Sequence, residues 1–327
     1  MPPLLVIADD LTGALEAGAK FAARGIAALV ATRPLRGSDC PVLVTDTESR
    51  HLSEDQAHRA VAAVACSDFA IIYKKTDSAL RGNIGAELRA LSQSCPDHPI
   101  TYIPAYPALG RTVKNGCLFV DGVPVHQTSF AADPLNPVRD SSIRGVLGGD
   151  FRGTICEAET DLEIARALAA ALAASSRCVL AGPASVAAEL ASQLVMPRGA
   201  PEPWPRVRTC VIVNGSLHEA SARQIRFAEQ NGCASSAFET PWRIVHPPLP
   251  AGFRFETVDA VMVFGGDTAL SVVRLLGDPP LKPIGEIVDG VAVSRVGEQD
   301  LILISKAGSF GGEELICEVK RKLHACE

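Results

Sequence analysis

Short apolar runs rich in β-branched residues recur along the whole 327-residue chain, separated by alanine-rich stretches, and this alternation constrains the fold most strongly. The runs are continuous rather than alternating between apolar and polar, which is typical of strands buried on both faces of a sheet. We predict nine strands, at residues 4–8, 27–31, 42–45, 69–73, 100–103, 178–181, 210–213, 260–264 and 301–305. Helical patterns lie between them at residues 13–23, 53–66, 161–175 and 216–230. The sequence therefore predicts an α/β fold with mainly parallel sheets flanked by helices.

A proline-rich segment divides the chain. Residues 196–206 carry four prolines in eleven positions, which neither a helix nor a central strand tolerates. At about 150 residues per domain, the length also favours two domains. We predict a first domain at residues 1–196, a linker at 197–206 and a second domain at 207–327, each domain built on its own sheet. A second irregular stretch, at residues 116–152, is long enough to predict a functional loop or a small subdomain.

Serine residues mark the starts of two predicted helices. Ser53 stands three residues before Gln56, and Ser216 stands three residues before Glu219. This is the spacing of a capping box, in which the serine and the later side chain each satisfy a free backbone N–H group. We therefore predict that these two helices are capped by Ser53 and Ser216.

The composition argues against several classes of protein. The chain has 31 basic and 37 acidic residues, a net charge of −6 and 5% aromatic residues, whereas nucleic-acid binding favours a basic face and stacking rings. No apolar run approaches the ~20 residues of a membrane span, and the N-terminus lacks the basic start of a secretory signal. The ten cysteines are scattered singly without a C-x-x-C pair, which predicts free thiols rather than a zinc site. We expect a cytoplasmic protein with neither nucleic-acid nor membrane partners.

Two adjacent carboxylates, Asp9 and Asp10, follow the first predicted strand and precede a helix. Ligands of open α/β sheets bind beyond the carboxyl ends of the strands, so these side chains are well placed for chemistry. Helix capping explains one aspartate but not a neighbouring pair. A haloacid-type phosphatase also has an aspartate at a strand end, but its second aspartate comes two residues later, where this chain has Leu11. A functional role for at least one of the pair is the favoured interpretation.

Three further polar loops follow predicted strands of the first domain, at residues 45–50, 74–85 and 104–112. Arginine offers a planar fork for a carboxylate, lysine a point charge, and aspartate an acceptor for hydroxyl groups. A hydroxy acid would satisfy all three, and loops at neighbouring strand ends converge on one cleft. The candidate catalytic residues are Asp10 and Asp77, and the candidate substrate-binding residues are Asp9, Thr12, Arg50, Lys74, Lys75, Arg81, Gly82, Asn83 and Arg111.

Glycine-containing turns follow three predicted strands of the second domain. Free N–H groups and the dipole at a helix N-terminus attract anions, and paired glycines let the backbone approach a phosphate. No turn is a Walker A or Rossmann motif, but a lysine beside the last one suits the phosphate tail of ATP. Asp267 and Thr268 are available for contacts with oxygen or Mg²⁺. The candidate nucleotide-binding residues are Ser216, His218, Gly265, Gly266, Asp267, Thr268, Lys306, Gly308, Ser309 and Gly311.

Taken together, these stretches resemble the four-carbon acid sugar kinase family. The matching stretches occur in family order at residues 7–14, 74–85, 104–116, 121–128, 133–137, 214–216, 265–268, 285–290 and 306–311. The resemblance implies an N-terminal sugar-acid domain and a C-terminal ATP domain. It also implies phosphorylation of the terminal hydroxyl of acids such as threonate, erythronate or 3-oxo-tetronate. Only about thirty residues separate Gly232 from Gly265, so the ATP domain is shortened relative to the family.

We expect an ATP-dependent kinase of a small sugar acid, with Mg²⁺ required by the chemistry of ATP and with its ligands undetermined. Arg81, together with Lys74 or Lys75, would hold the substrate carboxylate. Asp10, or failing that Asp77, would accept the proton of the attacking hydroxyl. The lysine of the last turn, backbone N–H groups and Mg²⁺ would neutralise charge on the phosphates.

A second class stays open: a non-catalytic sensor of a sugar acid or nucleotide, descended from such a kinase. The shortened second domain motivates this alternative, which predicts saturable binding without formation of ADP. A homodimer is the expected assembly for either class, since homodimers are frequent among soluble proteins.

Overall fold

The computed structural model describes residues 4–33, 38–65, 67–237, 240–249, 253–255, 257–308 and 310–324. These residues form sixteen strands and nine α-helices. The strands are β1 (Leu4–Ala8), β2 (Ala28–Ala31), β3 (Val42–Asp46), β4 (Ile71–Lys75), β5 (Ile100–Tyr102), β6 (Arg111–Lys114), β7 (Cys117–Val120), β8 (Val123–Pro124), β9 (Thr154–Ile155), β10 (Cys178–Gly182), β11 (Cys210–Asn214), β12 (Trp242–Val245), β13 (Ala260–Phe264), β14 (Leu281–Val288), β15 (Val291–Val296) and β16 (Ile302–Lys306). The helices are α1 (Leu11–Ala22), α2 (Glu54–Val64), α3 (Ile84–Ser94), α4 (Ile143–Leu147), α5 (Asp161–Ala174), α6 (Ala184–Gln193), α7 (Glu219–Gln230), α8 (Gly266–Leu275) and α9 (Leu315–His324).

Thirteen of the strands form one sheet in the order β12-β11-β13-β16-β15-β14-β2-β3-β1-β4-β10-β5-β9. We call β2 to β9 in this order the N-terminal half and β12 to β14 the C-terminal half. All pairs within the N-terminal half are parallel, and β12, β11, β13 and β16 are parallel in the C-terminal half. The antiparallel hairpin of β14 and β15 completes that half. The predicted α/β class with mainly parallel strands is confirmed, and all nine predicted strands are present. The expectation that each domain has its own sheet is wrong, because β14 pairs with β2 and joins the two sheets into one.

The two halves meet along a narrow seam. β14 pairs with β2 at a single register position, Leu281 opposite Val30. Next to the seam lies α1, which is buried along almost its whole length. A Cβ atom on Gly18 of α1 would come within 2.8 Å of Pro283 on β14, so the glycine allows the helix and the hairpin to approach closely. The predicted domain boundary stays a prediction; residues 195–207 form neither helix nor strand.

The strands owe their stability to burial on both faces. Every residue of β1, β3, β10, β11, β13 and β16 is buried. Continuous apolar runs are the expected sequence pattern for such strands, because helices cover both faces of a parallel sheet. No helix among the residues described above is long and apolar enough to span a membrane.

One predicted helix start is confirmed and the other is wrong. Ser53 forms a capping box with Gln56 at the start of α2. At α7 the N-cap is His218, whose Nδ1 accepts a hydrogen bond from the N–H of Ala220 at 3.2 Å. Ser216 instead stays in the preceding turn, where its Oγ accepts from the N–H of His218 at 3.2 Å. The turn after β11 therefore extends beyond Ser216 before the helix begins.

The prediction that the cysteines are free thiols is wrong for one pair. Cys233 and Cys317 form a disulfide, with Cα atoms 5.4 Å apart and a separation of 84 positions in sequence. The end of α7 lies beside α9 in the fold, so two cysteines that are single in the sequence become neighbours. A spacing rule cannot reveal a pair that only tertiary structure brings together.

The irregular stretch at residues 116–152 is part of a small subdomain. β6, β7 and β8 form an antiparallel sheet beside the main one, and α4 follows. The turn between β6 and β7 has positive φ angles at both Asn115 (51°) and Gly116 (71°), as a tight hairpin requires. This subdomain contributes Arg111 and Phe130 to the site described next.

Candidate active site

The carboxyl ends of strands from both halves border one large cavity of about 550 Å³. Loops after β1 and β3 lie on one side, and loops after β11, β13 and β16 lie on the other. A small recess of about 30 Å³ adjoins it on the N-terminal side. Both spaces are lined by Asp10, Thr12, Arg50, Arg81 and Ala307. The four predicted polar loops of the N-terminal half therefore do converge on one place in the fold.

Arg50 is bonded to both carboxylates that follow β1. Its Nε and Nη2 donate to Asp9 at 2.7 and 3.0 Å, and its Nη1 donates to Asp10 Oδ2 at 2.6 Å. Burial alone would raise the pKa of Asp9, but Arg50 and the nearby lysines hold it below its ordinary value. Arg50 and Asp9 thus form a buried ion pair that fixes the position of Asp10.

Gly82 and Asn83 support the loop that carries Arg50. Asn83 Nδ2 donates to the carbonyl oxygens of Ser49 and Leu52 at 2.9 and 2.8 Å. Gly82 has φ +87°, and a Cβ atom there would lie 3.2 Å from Cγ of Arg50. Neither residue lines the two spaces, so their geometry is that of supports for Arg50 rather than of ligand contacts.

Asp10 occupies the boundary between the two halves. Its Oδ1 accepts the N–H of Gly13 at 2.9 Å as the N-cap of α1, and its Oδ2 accepts Thr12 Oγ1 at 2.6 Å. A carboxylate oxygen has about two acceptor positions, so Oδ1 keeps one available. A Cβ atom on Gly266 would fall 2.9 Å from Asp10 Oδ2, which shows how closely the C-terminal half approaches.

Both carboxylate oxygens of Asp77 accept hydrogen bonds from one arginine. Arg81 donates to its two carboxylate oxygens through Nε at 3.2 Å and Nη2 at 2.8 Å, and donates through Nη1 to Asp133 at 3.1 Å. Burial would raise the pKa of Asp77, but Arg81 and Arg50 hold it far below its usual range. A carboxylate held so strongly in its ionised form is a weak proton acceptor, which leaves Asp10 as the better placed of the two candidates.

The remaining cations of the N-terminal half separate into two groups. Lys75 and Arg111 line the small recess, and Arg81 and Arg111 lie 5.4 and 5.8 Å from the ring of Phe130. Lys74 is fully buried, forms an ion pair with Glu87 at 3.0 Å and lines neither space. The structure therefore places Lys74 beneath the site, where it supports the sheet end instead of facing a ligand.

The C-terminal half presents backbone to the large cavity. α8 begins at Gly266, and its N-cap Gly265 has φ +98°, a conformation that favours glycine. A Cβ atom on Gly308 would lie 2.3 Å from Ser216 Oγ, so this turn also needs glycine to pack. The predicted residues that line the cavity are Ser216, His218, Gly265, Gly266, Asp267, Thr268 and Gly308. Gly311 does not line it, and Ser309 lies outside the described residues.

Lys306 lies directly behind this turn, 1% exposed. Its Nζ donates to the Gly308 carbonyl at 3.1 Å and to Ser221 Oγ at 3.3 Å, and it lies 4.4 Å from the Phe264 ring. No ion pair joins it to a carboxylate within the described part of the chain. Burial lowers the pKa of Lys306 to about 7. Such a group gains from a bound anion, because the anion would restore its charge.

Asp46 lies in the predicted polar loop at residues 45–50 but was not among the candidate site residues. It ends β3, is 3% exposed and lines the large cavity. Its Oδ1 accepts the N–H of Glu48 at 2.9 Å, while Oδ2 has no partner among the described atoms. Burial, reinforced by Asp10 and Glu48, raises its pKa well above the ordinary value. The predicted strand stopped one residue short, although an acidic residue at a strand end was the signal that had singled out Asp9 and Asp10.

The acidic residues of the large cavity could contribute ligands to a metal ion whose other ligands come from a bound substrate. No three His, Cys, Asp or Glu side chains among the described residues lie close enough to hold a metal by themselves. Mg²⁺ is commonly held by one or two carboxylates together with substrate phosphates and water. Asp46 has a buried oxygen without a partner, and Asp267 lines the same cavity with its side chain 71% exposed.

Ion pairs cross the cavity mouth and join the two halves. Arg274 of α8 donates to Glu48 at 2.7 and 3.0 Å, and His51 lies 3.5 Å from Asp267. The hydrogen bond from His51 lowers the pKa of Asp267. The loop after β3 therefore contacts α8 near both of its ends, at Asp267 in the first turn and at Arg274 in the last.

The fold and site define an α/β protein with a polar recess on one half and glycine turns on the other, around one cleft. The family model described as "Sugar-binding N-terminal domain" matches residues 4–181, more than half of the chain. The chain therefore belongs to this family, and its resemblance to four-carbon acid sugar kinases is confirmed by curated relatives with those names.

Three relatives illustrate the similarity. A D-threonate kinase of Salmonella typhimurium is 39% identical over 153 residues, covering 44% of this chain and 36% of the relative. A D-threonate kinase of Cupriavidus necator is 30% identical over 264 residues, covering 67% and 62%. A D-erythronate kinase of Heliobacterium modesticaldum is 31% identical over 165 residues, covering 47% and 38%. The matched region of this chain thus spans between 36% and 62% of the length of these relatives.

Two crystal structures show the same fold. One from Salmonella typhimurium LT2 matches 98% of this chain and 100% of its own, with a TM-score of 0.77 and 19% identity. A Bordetella bronchiseptica domain of unknown function (DUF1537), a domain-swapped dimer with bound citrate, matches 99% and 98%, with a TM-score of 0.54 and 24% identity. At these identities the likeness concerns the fold alone.

Proposed function

We propose that the chain is an ATP-dependent kinase that phosphorylates the terminal hydroxyl of a four-carbon sugar acid. In this proposal residues 1–196 bind the acid and residues 207–327 bind ATP, on opposite sides of the cleft. The observation that carries the proposal is the connection between the two spaces. The small recess contains arginines and carboxylates, and it joins the large cavity at Asp10, which lines both spaces. The opposite side of the large cavity is formed by glycine turns, and Lys306 lies behind the turn at Gly308.

The small recess suits a hydroxy acid. Arg81, Arg111 and Lys75 supply positive charge for a carboxylate, and Asp77 keeps Arg81 oriented. Asp10 and Thr12 supply oxygen atoms for hydroxyl groups at the side facing the large cavity.

Asp10 would accept the proton of the attacking hydroxyl. It is the carboxylate that lines both spaces, and its Oδ1 keeps an acceptor position. Arg50 and Thr12 hold the carboxylate in one orientation, so it is positioned before the substrate arrives. Phosphoryl transfer needs little covalent chemistry from a protein, and a fixed acceptor for one proton is sufficient.

The C-terminal half would hold the phosphates. Free N–H groups at the start of α8, with the turn at Gly308, offer donors to an anion. Lys306 would regain its charge beside the bound phosphates. Asp46 and Asp267 are the carboxylates that would hold Mg²⁺. When bound, the metal supplies neutralisation of the charge on the phosphate oxygens.

An apolar pocket next to the phosphate turns would hold the adenine ring. This pocket has a volume of about 800 Å³ and shares Ser216 and Thr268 with the large cavity. Two of its lining residues, Leu217 and Leu275, are 93% and 63% exposed. Large apolar side chains that are exposed beside a cavity are typical of a ligand-binding surface.

The decisive experiment measures ADP release from Mg-ATP with D- and L-threonate, D- and L-erythronate and their 3-oxo relatives. Turnover with one acid, abolished by Asp10→Asn, would support the kinase and identify its substrate. The sensor alternative is favoured by the limited share of the curated relatives that the chain matches. Binding of acid and nucleotide by calorimetry, without release of ADP for any acid, would favour the sensor. A homodimer belongs to the proposal as well, and light scattering of the purified chain tests it.

A further inference from the structure

The C-terminal half closes one side of the small recess. Phe310 and Gly290 line it, opposite the arginines of the N-terminal half. Gly290 forms the turn between β14 and β15 and has φ +74°. A Cβ atom there would fall 2.1 Å from Cδ2 of Phe310, so the phenyl ring lies directly on bare backbone. Any larger residue at position 290 would displace the ring.

A side chain of α7 forms hydrogen bonds with the backbone at and after Phe310. Gln224, fully buried on that helix, donates from Nε2 to the carbonyls of Phe310, Gly311 and Gly312 at 2.8, 2.9 and 3.0 Å. The N–H of Phe310 donates to the Ala307 carbonyl at 3.2 Å. The position of the ring is therefore fixed by a buried amide and by the glycine beneath it.

A second phenyl ring bounds the recess from the N-terminal half. Phe130 is buried and lies against the guanidinium groups of Arg81 and Arg111. The two phenyl rings, Gly290 and the two arginines all line this narrow recess, so a ligand held by the arginines lies close to both rings. Packed apolar walls do not yield to additional carbon atoms without a cost in free energy.

We propose that Phe310 sets the length of the sugar acid that the recess accepts, admitting four carbons and excluding longer chains. This inference rests on the proposed function, because it concerns the same recess. Phe310 belongs to the C-terminal half, so the residue that limits the acid comes from the half assigned to the nucleotide. Removal of the ring opens space at that wall, while Arg81 and Arg111 remain to bind a carboxylate.

The test is calorimetric binding of D-threonate and D-erythronate, with four carbons, and D-gluconate, with six, to the full chain. We expect the wild type to bind the better four-carbon acid at least tenfold more tightly than gluconate. In Phe310→Ala this preference should fall at least tenfold, and Phe310→Leu should lie between. Phe227→Ala is the matched control, since Phe227 is a half-buried phenylalanine of α7 that lines neither space. This control should keep the wild-type preference.

Two results would overturn the inference: an unchanged preference in both Phe310 variants, or a wild type that binds gluconate as tightly as the four-carbon acids. Circular dichroism identifies a variant that does not fold, and the leucine variant, which keeps apolar contact with Gly290, then provides the test. A wild type that binds acids but releases no ADP would contradict the kinase and leave the length preference to be judged from binding. A wild type that binds none of the three acids would contradict both.

Discussion

The two sides of the cleft satisfy their charges in different ways. On the N-terminal side, Asp9, Asp10 and Asp77 are bonded to Arg50 and Arg81, so these three carboxylates already have charged partners. On the C-terminal side, the buried Lys306 contacts a hydroxyl, a carbonyl and an aromatic ring, and no carboxylate among the described residues pairs with it. The arginines of the N-terminal side therefore have carboxylate partners without a ligand, whereas Lys306 on the C-terminal side has none within the described part of the chain.

Because their charges are compensated differently, we expect the two sides to respond differently to a bound ligand. A network of paired charges holds its members in place and gives a substrate a preformed surface. An uncompensated buried cation destabilises the free protein and makes anion binding stabilise it. On the proposed function, we expect substitutions on the N-terminal side to affect the reaction, and substitutions on the C-terminal side to affect binding and stability together.

The largest effect should come from Asp10. We expect Asp10→Asn to lower kcat by about 10²–10⁴-fold with a small change in KM, because the variant keeps the shape of the side chain but cannot accept a proton. Asp77→Asn should instead raise KM for the acid roughly tenfold, because Arg81 loses a charged partner. Steady-state kinetics of both variants measure the contrast. Equal losses of kcat would show that Asp77 shares the role assigned to Asp10.

The next effect concerns nucleotide binding by Lys306. We expect Lys306→Met to weaken ADP binding at least tenfold, or roughly 1.5–3 kcal/mol for a bond to a charged group. Burial holds the pKa of Lys306 near 7, so at pH 8 the amine is largely neutral and bound phosphate favours its protonation. ADP binding should therefore take up a proton, and affinity should fall as pH rises from 7 to 9. Calorimetry in buffers of different ionisation enthalpy measures this uptake.

Lys282→Met is the control for this prediction. Lys282 is a half-exposed lysine of the same half that pairs with Glu298 on the surface. Its replacement should leave both ADP affinity and proton uptake unchanged. Proton uptake that persists in Lys306→Met would assign it to another group.

A third effect is on the stability of the free protein. The pKa of Lys306 is about 7 when folded, against 10.5 for an ordinary lysine. Between these values the unfolded chain binds more protons, so wild-type stability should rise with pH in this window, by up to a few kcal/mol. Lys306→Met should be more stable than the wild type at pH 7, and the difference should shrink towards pH 10. Urea unfolding at both pH values measures it, and a constant difference would contradict the assignment.

The smallest effect concerns Asp46. We expect Asp46→Asn to raise the free energy of unfolding without Mg²⁺ by about 1 kcal/mol, since a buried carboxylate without a partner is replaced by a neutral amide. The same variant should need more Mg²⁺ for ADP binding. Glu286→Gln, another buried carboxyl with an unpartnered oxygen, is the control, because it does not line the large cavity. Mg²⁺ dependence that is unchanged in Asp46→Asn would exclude it as a metal ligand.

Strands buried on both faces were the most predictable part of the fold. The runs that became β1 and β13 are continuous and apolar, and the predicted ends agree with the structure. β14 was missed because Pro283, Gly285 and Glu286 interrupt its apolar pattern. The Asp289–Gly290 pair between β14 and β15 is a hairpin signal that could have revealed both strands.

The site was predictable as a set of loops but not as a set of contacts. Strand-end polar residues indicated where the cleft would lie, because parallel strands end at one edge. The same reasoning could not separate Lys75, which lines the recess, from its neighbour Lys74, which is buried against Glu87. Successive residues of a strand point to opposite faces, and which face is open depends on the packed helices. Phe310 and Gly290 were hidden for a related reason, since only the tertiary fold brings them to the recess.

Within the sheet, the two halves are joined by backbone pairing at a single register position between β2 and β14. The backbone ladder between the halves is therefore short, and α1, which packs against both halves, supplies most of the contact across it. A change in the angle between the halves would change the distance between the glycine turns and Asp10, which lie on opposite sides of the large cavity. The pairs of Glu48 with Arg274 and of His51 with Asp267 lie at the mouth of the large cavity and are partly exposed. Dissolved salt should therefore weaken the attraction within them. We therefore expect higher ionic strength to weaken the side-chain contacts that join the two halves at the mouth of the large cavity.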